Sequence, residues 1–284
     1  MTGLEPGSFG LTLAVTAAAL LVLQGLTFAV SIKIKKNSVV DTAWGIGIAL
    51  AALTAFLSSL GHGQAERRYL LLVASVLWGA RLAGYVGWRN HGKPEDPRYK
   101  DMLDKAPGNK YLYALRKVYL LQAAILWLAT VPVQAGMLER APAGPLAAGL
   151  LPIGGAVLFA VGFFFESVGD WQLYRFKADP ANKSQIMDRG LWHYTRHPNY
   201  FGDFCMWWGL FAISYGSWQE LPALVAPLLM TFILTRGTGA SMTDRRMKAA
   251  RPGYVDYIER TSGFFPLPPK RRPRGAGPAQ PERG

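Results

Sequence analysis

"GLTLAVTAAALLVLQGLTFAVSI", residues 10–32, is a run of 23 residues without a single charge. A helix of about 20 mostly apolar residues is long enough to cross the hydrocarbon core of a bilayer. No basic residue precedes the run, so we interpret it as a retained helix and not as a cleaved secretory signal. This stretch predicts that the fold is an all-α integral membrane protein.

The composition of the whole chain agrees with that prediction. Half of the 284 residues are hydrophobic and only 17% are charged, whereas soluble domains carry about a quarter of charged residues. The net charge of +13 does not require nucleic acid as a partner, because basic residues collect in the cytoplasmic loops of membrane proteins. The single cysteine, Cys205, excludes an internal disulfide framework and a cysteine-rich metal site.

Further apolar runs predict a seven-transmembrane-helix bundle. The predicted spans are 10–32, 38–60, 69–88, 117–134, 144–165, 201–216 and 219–235. With the N-terminus outside and the C-terminus inside, the cytosolic segments hold 27 of the 31 lysines and arginines, as the positive-inside rule requires. All long polar loops then lie on one face, so any site that they form opens to the cytosol.

We predict one membrane domain over residues 1–265, with a half that holds a cofactor at about 144–265. The remaining residues, 266–284, are rich in proline, glycine and arginine, a composition typical of a disordered tail. The expected location is a bacterial inner membrane, with membrane lipid and a lipophilic small molecule as partners.

Two charged residues, Asp41 and Arg81, lie inside predicted spans. An ionisable side chain costs at least about 2.5–3.5 kcal/mol at the centre of a bilayer, so such residues usually mark functional sites. Both lie toward the cytosolic end of their spans and are close enough in depth to line one cavity. The alternative is that the two side chains only neutralise each other as a packing pair.

The polar interval 166–200 concentrates hydrogen-bonding residues beside an apolar run. Glu166 and Asp170 are four residues apart and share a helical face, with Arg175 nearby. Pro198 suits the first turn of the next helix, which places Arg196 and His197 at a helix N-terminus, where free amides favour an anion.

More residues of this type follow along the chain. Asn199, Tyr200 and Asp203 lie on the first turn of that helix, and Arg236, Asp244 and Tyr257 follow the last span. Together they predict a cytosolic pocket for a phosphate-bearing ligand with a polar ribose or amide end. We expect no metal site, since His193 and His197 lack a third ligand at suitable spacing. The chain also has no G-x-G-x-x-G or Walker motif.

Several motifs resemble those of the bacterial steroid 5-alpha-reductase-like membrane family. They are "NSVVDTAWG", "GKPEDPRY", "ESVGDWQLYRFKADPANKSQIMDRGLWHYTRHPNYFGDF" and "RPGYVDYIERTSGFFP", so that the resemblance covers residues from about 37 to 270. R-H-P-x-Y-x-G alone is less specific, because sterol reductases and membrane methyltransferases have similar stretches.

The resemblance implies a seven-helix enzyme that binds NADPH from the cytosol and reduces the carbon–carbon double bond of a lipophilic enone. It assigns cofactor contacts to nine residues of the second half of the chain: Glu166, Asp170, Arg175, Arg196, Asn199, Asp203, Arg236, Asp244 and Tyr257. Asp41 falls where these reductases have a glutamate that meets the substrate's ketone. Trp78 falls near their catalytic tyrosine, and because tryptophan has no acidic O–H, Tyr85 is the candidate substitute.

Two alternatives differ in class from this reductase. An S-adenosylmethionine-dependent membrane methyltransferase of the isoprenylcysteine or phospholipid type usually has paired glutamates near its last helix. Here the corresponding stretch is "SMTDRRM", and its arginines suit the phosphates of NADPH better than a sulfonium. A non-enzymatic lipid-binding or scaffold protein would leave Asp41 and the polar cluster without a role.

Overall fold

A computed structural model describes residues 6–140, 142–237, 239–251 and 253–270, and its regular structure over these ranges is helical, with one isolated parallel bridge between Thr195 and Ser262. The α-helices are α1 (Pro6–Ile34), α2 (Val39–Ser58), α3 (Ala65–Asn90), α4 (Pro97–Asp104), α5 (Lys110–Ala114), α6 (Leu121–Ala129), α7 (Val131–Gly136), α8 (Leu151–Ala178), α9 (Pro198–Ser214), α10 (Val225–Thr235), α11 (Ala240–Ala250) and α12 (Tyr254–Arg260). Two π-helical segments, Leu115–Leu120 and Leu146–Leu150, and three 3-10 segments, Pro180–Asn182, Gly190–His193 and Trp218–Leu224, connect them.

Six helical stretches are long and apolar enough to cross a membrane, which confirms the prediction of an all-helical integral membrane protein. They are Ser8–Ile34, Val39–Ser58, Ala65–Asn90, Lys110–Ala129, Leu146–Ala178 and Trp218–Ala250. The predicted sixth span, 201–216, corresponds to α9, which has 17 residues and measures about 26 Å at 1.5 Å per residue. That length falls short of a hydrocarbon core of about 30 Å, so the count of seven spans stays a prediction.

The chain divides into two compact units. The first unit comprises Met1–Phe159 with Trp207–Leu229, and the second comprises Ala160–Met206 with Met230–Gly284. Both predicted catalytic residues, Asp41 and Tyr85, belong to the first unit. All predicted cofactor residues, from Glu166 to Tyr257, belong to the second unit.

In the first unit, α2 and α3 approach so closely that only glycine fits between them. A Cβ atom added to Gly45 would lie 2.4 Å from the carbonyl oxygen of Gly79 and 2.5 Å from the backbone nitrogen of Ala83. Small residues allow this kind of backbone contact in membrane helices, where packing replaces the hydrophobic effect as the force between helices. The outward side of α1 is apolar, with Leu11, Val22 and Leu26 exposed, as a lipid-facing surface requires.

Arg67 and Arg68, which precede the predicted span 69–88, lie in the first turn of α3, and both are buried. Arg67 donates to the backbone carbonyls of Ser214 and Ala147 at 3.1 and 2.8 Å. Arg68 donates to the hydroxyl of Ser59 at 3.1 Å. These arginines satisfy polar groups at the ends of neighbouring helical segments, so they hold the fold together besides contributing to the charge distribution.

In the second unit, α8 and α9 cross at Gly162 and Gly202. A Cβ atom on Gly162 would lie 2.5 Å from the carbonyl oxygen of Gly202 and 2.9 Å from the Cβ of Cys205, which is buried. The same close contact continues along the crossing, because a Cβ atom on Gly202 would lie 2.5 Å from the backbone nitrogen of Glu166. The crossing therefore sets the position of the first polar residues on α8.

The segment after α12 packs on the same unit. Thr195 donates its hydroxyl to the carbonyl of Phe264 at 2.8 Å, and the backbone amide of Leu267 donates to the carbonyl of Tyr194 at 3.0 Å. The amide of Lys270 donates to the carbonyl of Arg260 at 2.9 Å. The first residues of the predicted tail, 266–270, are thus bound to the unit, and residues 271–284 lie outside the described ranges.

Candidate functional site

The start of α2 is fixed by a carboxylate from a distant part of the chain. Glu95 accepts hydrogen bonds from the backbone amides of Asn37 and Ser38, at 2.5 and 3.0 Å. These two amides precede α2 and would otherwise lack partners, because the first N–H groups of a helix have no acceptor within it. The contact holds Asp41 in the first turn of α2 and brings residues 95–99 next to it.

The carboxylate of Asp41 is bound by two neighbouring residues of α4. The hydroxyl of Tyr99 donates to Oδ1 at 2.5 Å, and Nη2 of Arg98 donates to Oδ2 at 3.0 Å. Arg98 is oriented by Asp96, which also caps α4 by accepting from the backbone amide of Arg98 at 2.8 Å. Arg81, the other charged residue predicted within a span, is not the partner of Asp41.

Tyr99 also belongs to a hydrogen-bonded chain that reaches α6 and returns to α2. Gln122 donates its amide to the Tyr99 oxygen at 3.4 Å, and the indole of Trp44 donates to the Gln122 amide oxygen at 2.5 Å. Burial, together with the charge of Asp41 and the hydrogen bond to it, raises the pKa of Tyr99 above its usual value of 10. The phenol therefore keeps its proton at neutral pH and acts as a hydrogen-bond donor.

Burial alone would lower the pKa of Arg98. The hydrogen bond to Asp96 and the charges of Asp41 and Asp96 outweigh that effect and raise the pKa instead. Arg98 thus stays a cation, and its guanidinium lies 3.0 Å from Oδ2 of Asp41. In the pair of Tyr99 and Asp41, Tyr99 donates the hydrogen bond and Asp41 accepts it.

The two aromatic residues that the sequence placed near Asp41 have other surroundings. Trp78 is buried in the core of the first unit, where its ring packs edge-on against Trp207 at 4.8 Å. The ring of Tyr85 is close to two guanidinium groups, since its centroid lies 5.2 and 5.4 Å from the Cζ atoms of Arg81 and Arg89. The hydroxyl on Asp41 therefore comes from Tyr99, in place of Tyr85.

In the second unit, Asp244 is the centre of a buried network. Its carboxylate accepts from Nη2 of Arg196 at 2.7 Å, from the hydroxyl of Tyr254 at 2.7 Å, and pairs with Nε2 of His197 at 2.9 Å. Burial, followed by the hydrogen bond to Asp244, raises the pKa of Tyr254 above 10, so this phenol also stays protonated. The network ties α11 and α12 to the segment that precedes α9.

The guanidinium group of Arg196 makes its hydrogen bonds to other groups of the protein. Besides Asp244, its guanidinium donates from Nη1 to the carbonyls of Ile258 and Thr261, at 3.2 and 2.5 Å. Tyr257 is engaged in a similar way, since its hydroxyl donates to the carbonyl of Trp192, and burial raises its pKa. These two predicted cofactor residues organise the unit, and their polar groups are already occupied by the protein.

The acidic face of α8 lies in the same unit. Glu166 and Asp170 are both buried, and Asn199 donates its side-chain amide to Oδ1 of Asp170 at 3.3 Å. Asp203 follows Asn199 one turn later on α9. The structure therefore joins Asn199 of α9 to Asp170 of α8.

Tyr200 connects this part of α9 to the Asp244 network. Its ring stacks on His197 with centroids 5.3 Å apart, and its hydroxyl lies 3.4 Å from that of Thr243. The network and the acidic face are thus continuous through the first turn of α9.

Two predicted cofactor arginines differ from Arg196. Arg175 lies over the ring of Trp171, with its Cζ 5.4 Å from the centroid. Arg236, which follows α10, accepts at its backbone carbonyl from the hydroxyl of Ser241. Within the described ranges, neither guanidinium makes a hydrogen bond, so both cations are available for an anionic ligand.

No group of three or more histidine, cysteine, aspartate or glutamate side chains suited to a metal ion occurs among the residues the structure describes.

Sequence reasoning missed Arg98, Tyr99 and Gln122 as partners of Asp41. The stretch "GKPEDPRY" carried a local signal, because an acidic residue before proline at the start of a helix is a typical N-cap. That signal locates α4, but contact with Asp41 depends on Glu95, which binds amides 57 and 58 residues earlier in the chain.

The family model described as "Protein of unknown function (DUF1295)" matches residues 27–261. A protein of Schizosaccharomyces pombe, described as uncharacterized, is 24% identical over 270 residues, an alignment that covers 86% of this chain and 77% of the yeast protein. No solved structure matches. The matched residues include both the Asp41 site and the Asp244 network.

Proposed function

The chain belongs to the DUF1295 family, and we propose that it is an NADPH-dependent membrane reductase of lipophilic enones. The observation that carries this proposal is the hydrogen bond from Tyr99 to Asp41, at the end of a helix apolar enough to cross a membrane. A protonated phenol held by a carboxyl group suits the polarisation of a carbonyl oxygen. The substrate class is a steroid- or isoprenoid-like lipid with a carbonyl conjugated to a double bond.

Each residue of the Asp41 site has a defined task in this proposal. Tyr99 turns its O–H from Asp41 to the substrate's carbonyl oxygen and stabilises the negative charge that develops there. Gln122 donates to the phenol oxygen and fixes its direction, while Arg98 balances the charge of Asp41. A positioned acid of this kind contributes about 10²–10⁴-fold to a rate.

NADPH, when bound, would supply the hydride for the β-carbon of the enone, and the enolate would take a proton from water at its α-carbon. The donor set of the second unit fits such a cofactor, because Arg175 and Arg236 have guanidinium groups available for phosphate oxygens. The carboxylates of Glu166 and Asp170 are acceptors for ribose hydroxyls or a carboxamide N–H, and Asn199 offers an amide beside them. Arg196, His197, Asp244 and Tyr257 hold the unit in shape around these groups.

We also propose the finer features of topology and location. In this proposal α9 completes seven crossings, with the N-terminus outside, the C-terminus in the cytosol, and a bacterial inner membrane as the location. Fusions of a cytosol-active fluorescent protein and of a periplasm-active phosphatase to the C-terminus test the orientation. Phosphatase activity without fluorescence would reverse it.

Ligand-dependent thermal unfolding of the detergent-purified protein tests the cofactor. A ligand at 100 times its Kd adds about 2.7 kcal/mol to the free energy of unfolding, which is easily measured. We expect NADPH to raise the midpoint and S-adenosylmethionine to have no effect. Stabilisation by S-adenosylmethionine in the absence of any response to NADPH would refute the reductase and favour a methyltransferase.

Turnover of a panel of enones by the NADPH-loaded protein tests the role of Tyr99 and Asp41. Tyr99→Phe should lower kcat and leave NADPH binding intact, because the phenol belongs to the first unit and the cofactor residues to the second. Tyr111→Phe is the matched control, since Tyr111 is exposed and its hydroxyl has no hydrogen-bond partner in the described part of the chain. Equal kcat values for the two variants would show that Tyr99 takes no part in the reaction.

A further inference from the structure

A cavity of about 300 Å³ lies in the first unit, and none of its described lining residues belongs to the Asp41 site or to the predicted cofactor residues. Its walls come from the end of α1 and the turn that follows, from α4 and from α5. Two cations, Lys35 and Lys110, are among these lining residues, which include no carboxylate. This cavity, called the Lys35 cavity below, therefore favours an anionic occupant.

The Lys35 cavity lies at the depth where two helices leave the membrane. Ile32, which lines it, is close to the end of the apolar stretch Ser8–Ile34, while Lys110 and Tyr111 begin the stretch Lys110–Ala129. Tyr111 is 60% exposed, and tyrosine is typical of the boundary between lipid and water. The cavity thus opens among lipid headgroups.

The backbone at Lys35 is unusual for a lysine. Its φ of 55° lies in the left-handed region, where glycine commonly stands at the end of a helix. The amide of Lys36 donates to the carbonyl of Ser31 at 3.0 Å and closes α1 around this residue. Within the described ranges, the ammonium group of Lys35 makes no hydrogen bond or ion pair, so it is available to a ligand.

Two further donors on the wall can reach a ligand. Nζ of Lys110 donates to Oδ1 of Asp104 at 3.3 Å, but both groups are exposed, and exposed ion pairs contribute little to stability. Asp104 keeps Lys100 as a partner, at 3.2 Å, when Lys110 turns to a ligand. Asn37 accepts from the hydroxyl of Tyr119 at Oδ1, which leaves its amide nitrogen without a bond among the residues described.

We propose that the Lys35 cavity binds the headgroup of an anionic phospholipid, with the phosphate between the ammonium groups of Lys35 and Lys110. A zwitterionic headgroup carries its own cation, which two lysines repel and which finds no carboxylate on the described wall. Phosphatidylglycerol instead brings a net negative charge, and its glycerol hydroxyls suit the amide of Asn37.

The surface beside the cavity explains why a lipid fits better than a soluble phosphate ester. Ile32 and Leu21 are about three helical turns apart on one face of α1, and both are exposed. Acyl chains of a lipid held at the cavity would lie along this apolar face. The inference does not depend on the reductase, because it uses neither the Asp41 site nor a cofactor.

Lipid binding to the full-length protein in a neutral detergent tests the proposal. Phosphatidylglycerol and phosphatidylcholine with identical acyl chains differ in headgroup charge, and glycerol phosphate supplies the phosphate without acyl chains. Each lysine near a membrane surface contributes about fivefold to the affinity for anionic lipid, so phosphatidylglycerol should bind at least about tenfold more tightly than phosphatidylcholine. Native mass spectrometry and thermal unfolding measure the preference, and glycerol phosphate should have no effect.

Two variants assign the preference to the cavity. Lys35→Gly removes a cation where the backbone suits glycine, so the lipid-free protein should be at least as stable as the wild type, while the preference falls about fivefold. Lys110→Gln removes the second cation and should lower the preference by a similar factor. Lys248→Gln removes an exposed lysine of α11 in the second unit and is the charge-matched control, which should keep the wild-type preference.

Three results would overturn the inference. The first is equal affinity for the two lipids, and the second is a preference that neither Lys35→Gly nor Lys110→Gln reduces. The third is stabilisation by glycerol phosphate as strong as that by phosphatidylglycerol, which would identify a soluble ligand. A loss of preference in Lys248→Gln as large as in the cavity variants would also overturn it, because net charge alone would then account for the binding.

Discussion

Replacement of Arg196 by lysine tests whether Arg196 stabilises the fold or binds a ligand. Arg196 makes four side-chain hydrogen bonds, two to Asp244 and one each to the carbonyls of Ile258 and Thr261. A lysine keeps the charge, but its single ammonium group cannot reproduce the planar fork, so at least two of these bonds are lost. At about 1.5–3 kcal/mol for each bond to a charged group, the loss is about 3–6 kcal/mol.

This loss is large beside a typical folding free energy of about 5–15 kcal/mol. Arg196→Lys should therefore lower the midpoint of thermal unfolding by an amount on the order of 10 °C, measured by tryptophan fluorescence in detergent. Arg236→Lys is the matched control, because the guanidinium of Arg236 makes no hydrogen bond within the described ranges, and its midpoint should stay at the wild-type value. An Arg196→Lys protein that unfolds like the wild type yet fails to bind NADPH would refute the structural role and return Arg196 to the cofactor site.

Three further predictions concern other parts of the fold. Tyr99→Phe should reduce turnover about 10²–10⁴-fold while lowering stability by only about 1 kcal/mol, because Arg98 still pairs with Asp41; a wild-type kcat would contradict it. Gly45→Ala should destabilise the protein by about 1–3 kcal/mol through overlap with Gly79, whereas Gly25→Ala, which meets no atom within 4 Å, should be neutral. The raised pKa of Tyr254 contributes stability that is present below pH 10, where an unfolded tyrosine is protonated, and that is lost as the pH rises further. Tyr254→Phe should therefore weaken the decline in unfolding free energy at alkaline pH. An unchanged decline would count against the buried network.

The membrane helices were predictable because their signal is local and strong. Long uncharged runs such as residues 10–32 have few alternative folds, and the structure has helices at each of the predicted spans, with boundaries shifted by several residues. The ends of α8 and α3 extend well beyond their apolar runs, since polar residues such as Glu166 and Arg67 continue the helix once packing partners are supplied. Hydrophobicity locates the part of a helix within the bilayer and says little about where the helix stops.

The site was only partly predictable for a different reason. The sequence indicated Asp41 as an acid at the end of a span, and the structure adds Tyr99 and Arg98, which are almost 60 residues away in the chain. Such contacts depend on the folded path of residues 91–97, which have no periodic pattern. Similarly, charge and spacing indicated Arg196 as an anion ligand, but they could not reveal that backbone carbonyls and Asp244 already occupy its donors.

The buried position of Cys205 makes this chain convenient for chemical labelling. Cys205 is the single cysteine of the sequence, and it is only 1% exposed at the crossing of α8 and α9. A water-soluble maleimide should therefore not react with Cys205 in the native protein, and cysteines introduced at exposed positions would be the reactive thiols. Two introduced cysteines can thus carry a pair of spin or fluorescent probes. Cys205, which lies at a closely packed helix crossing, need not be replaced first.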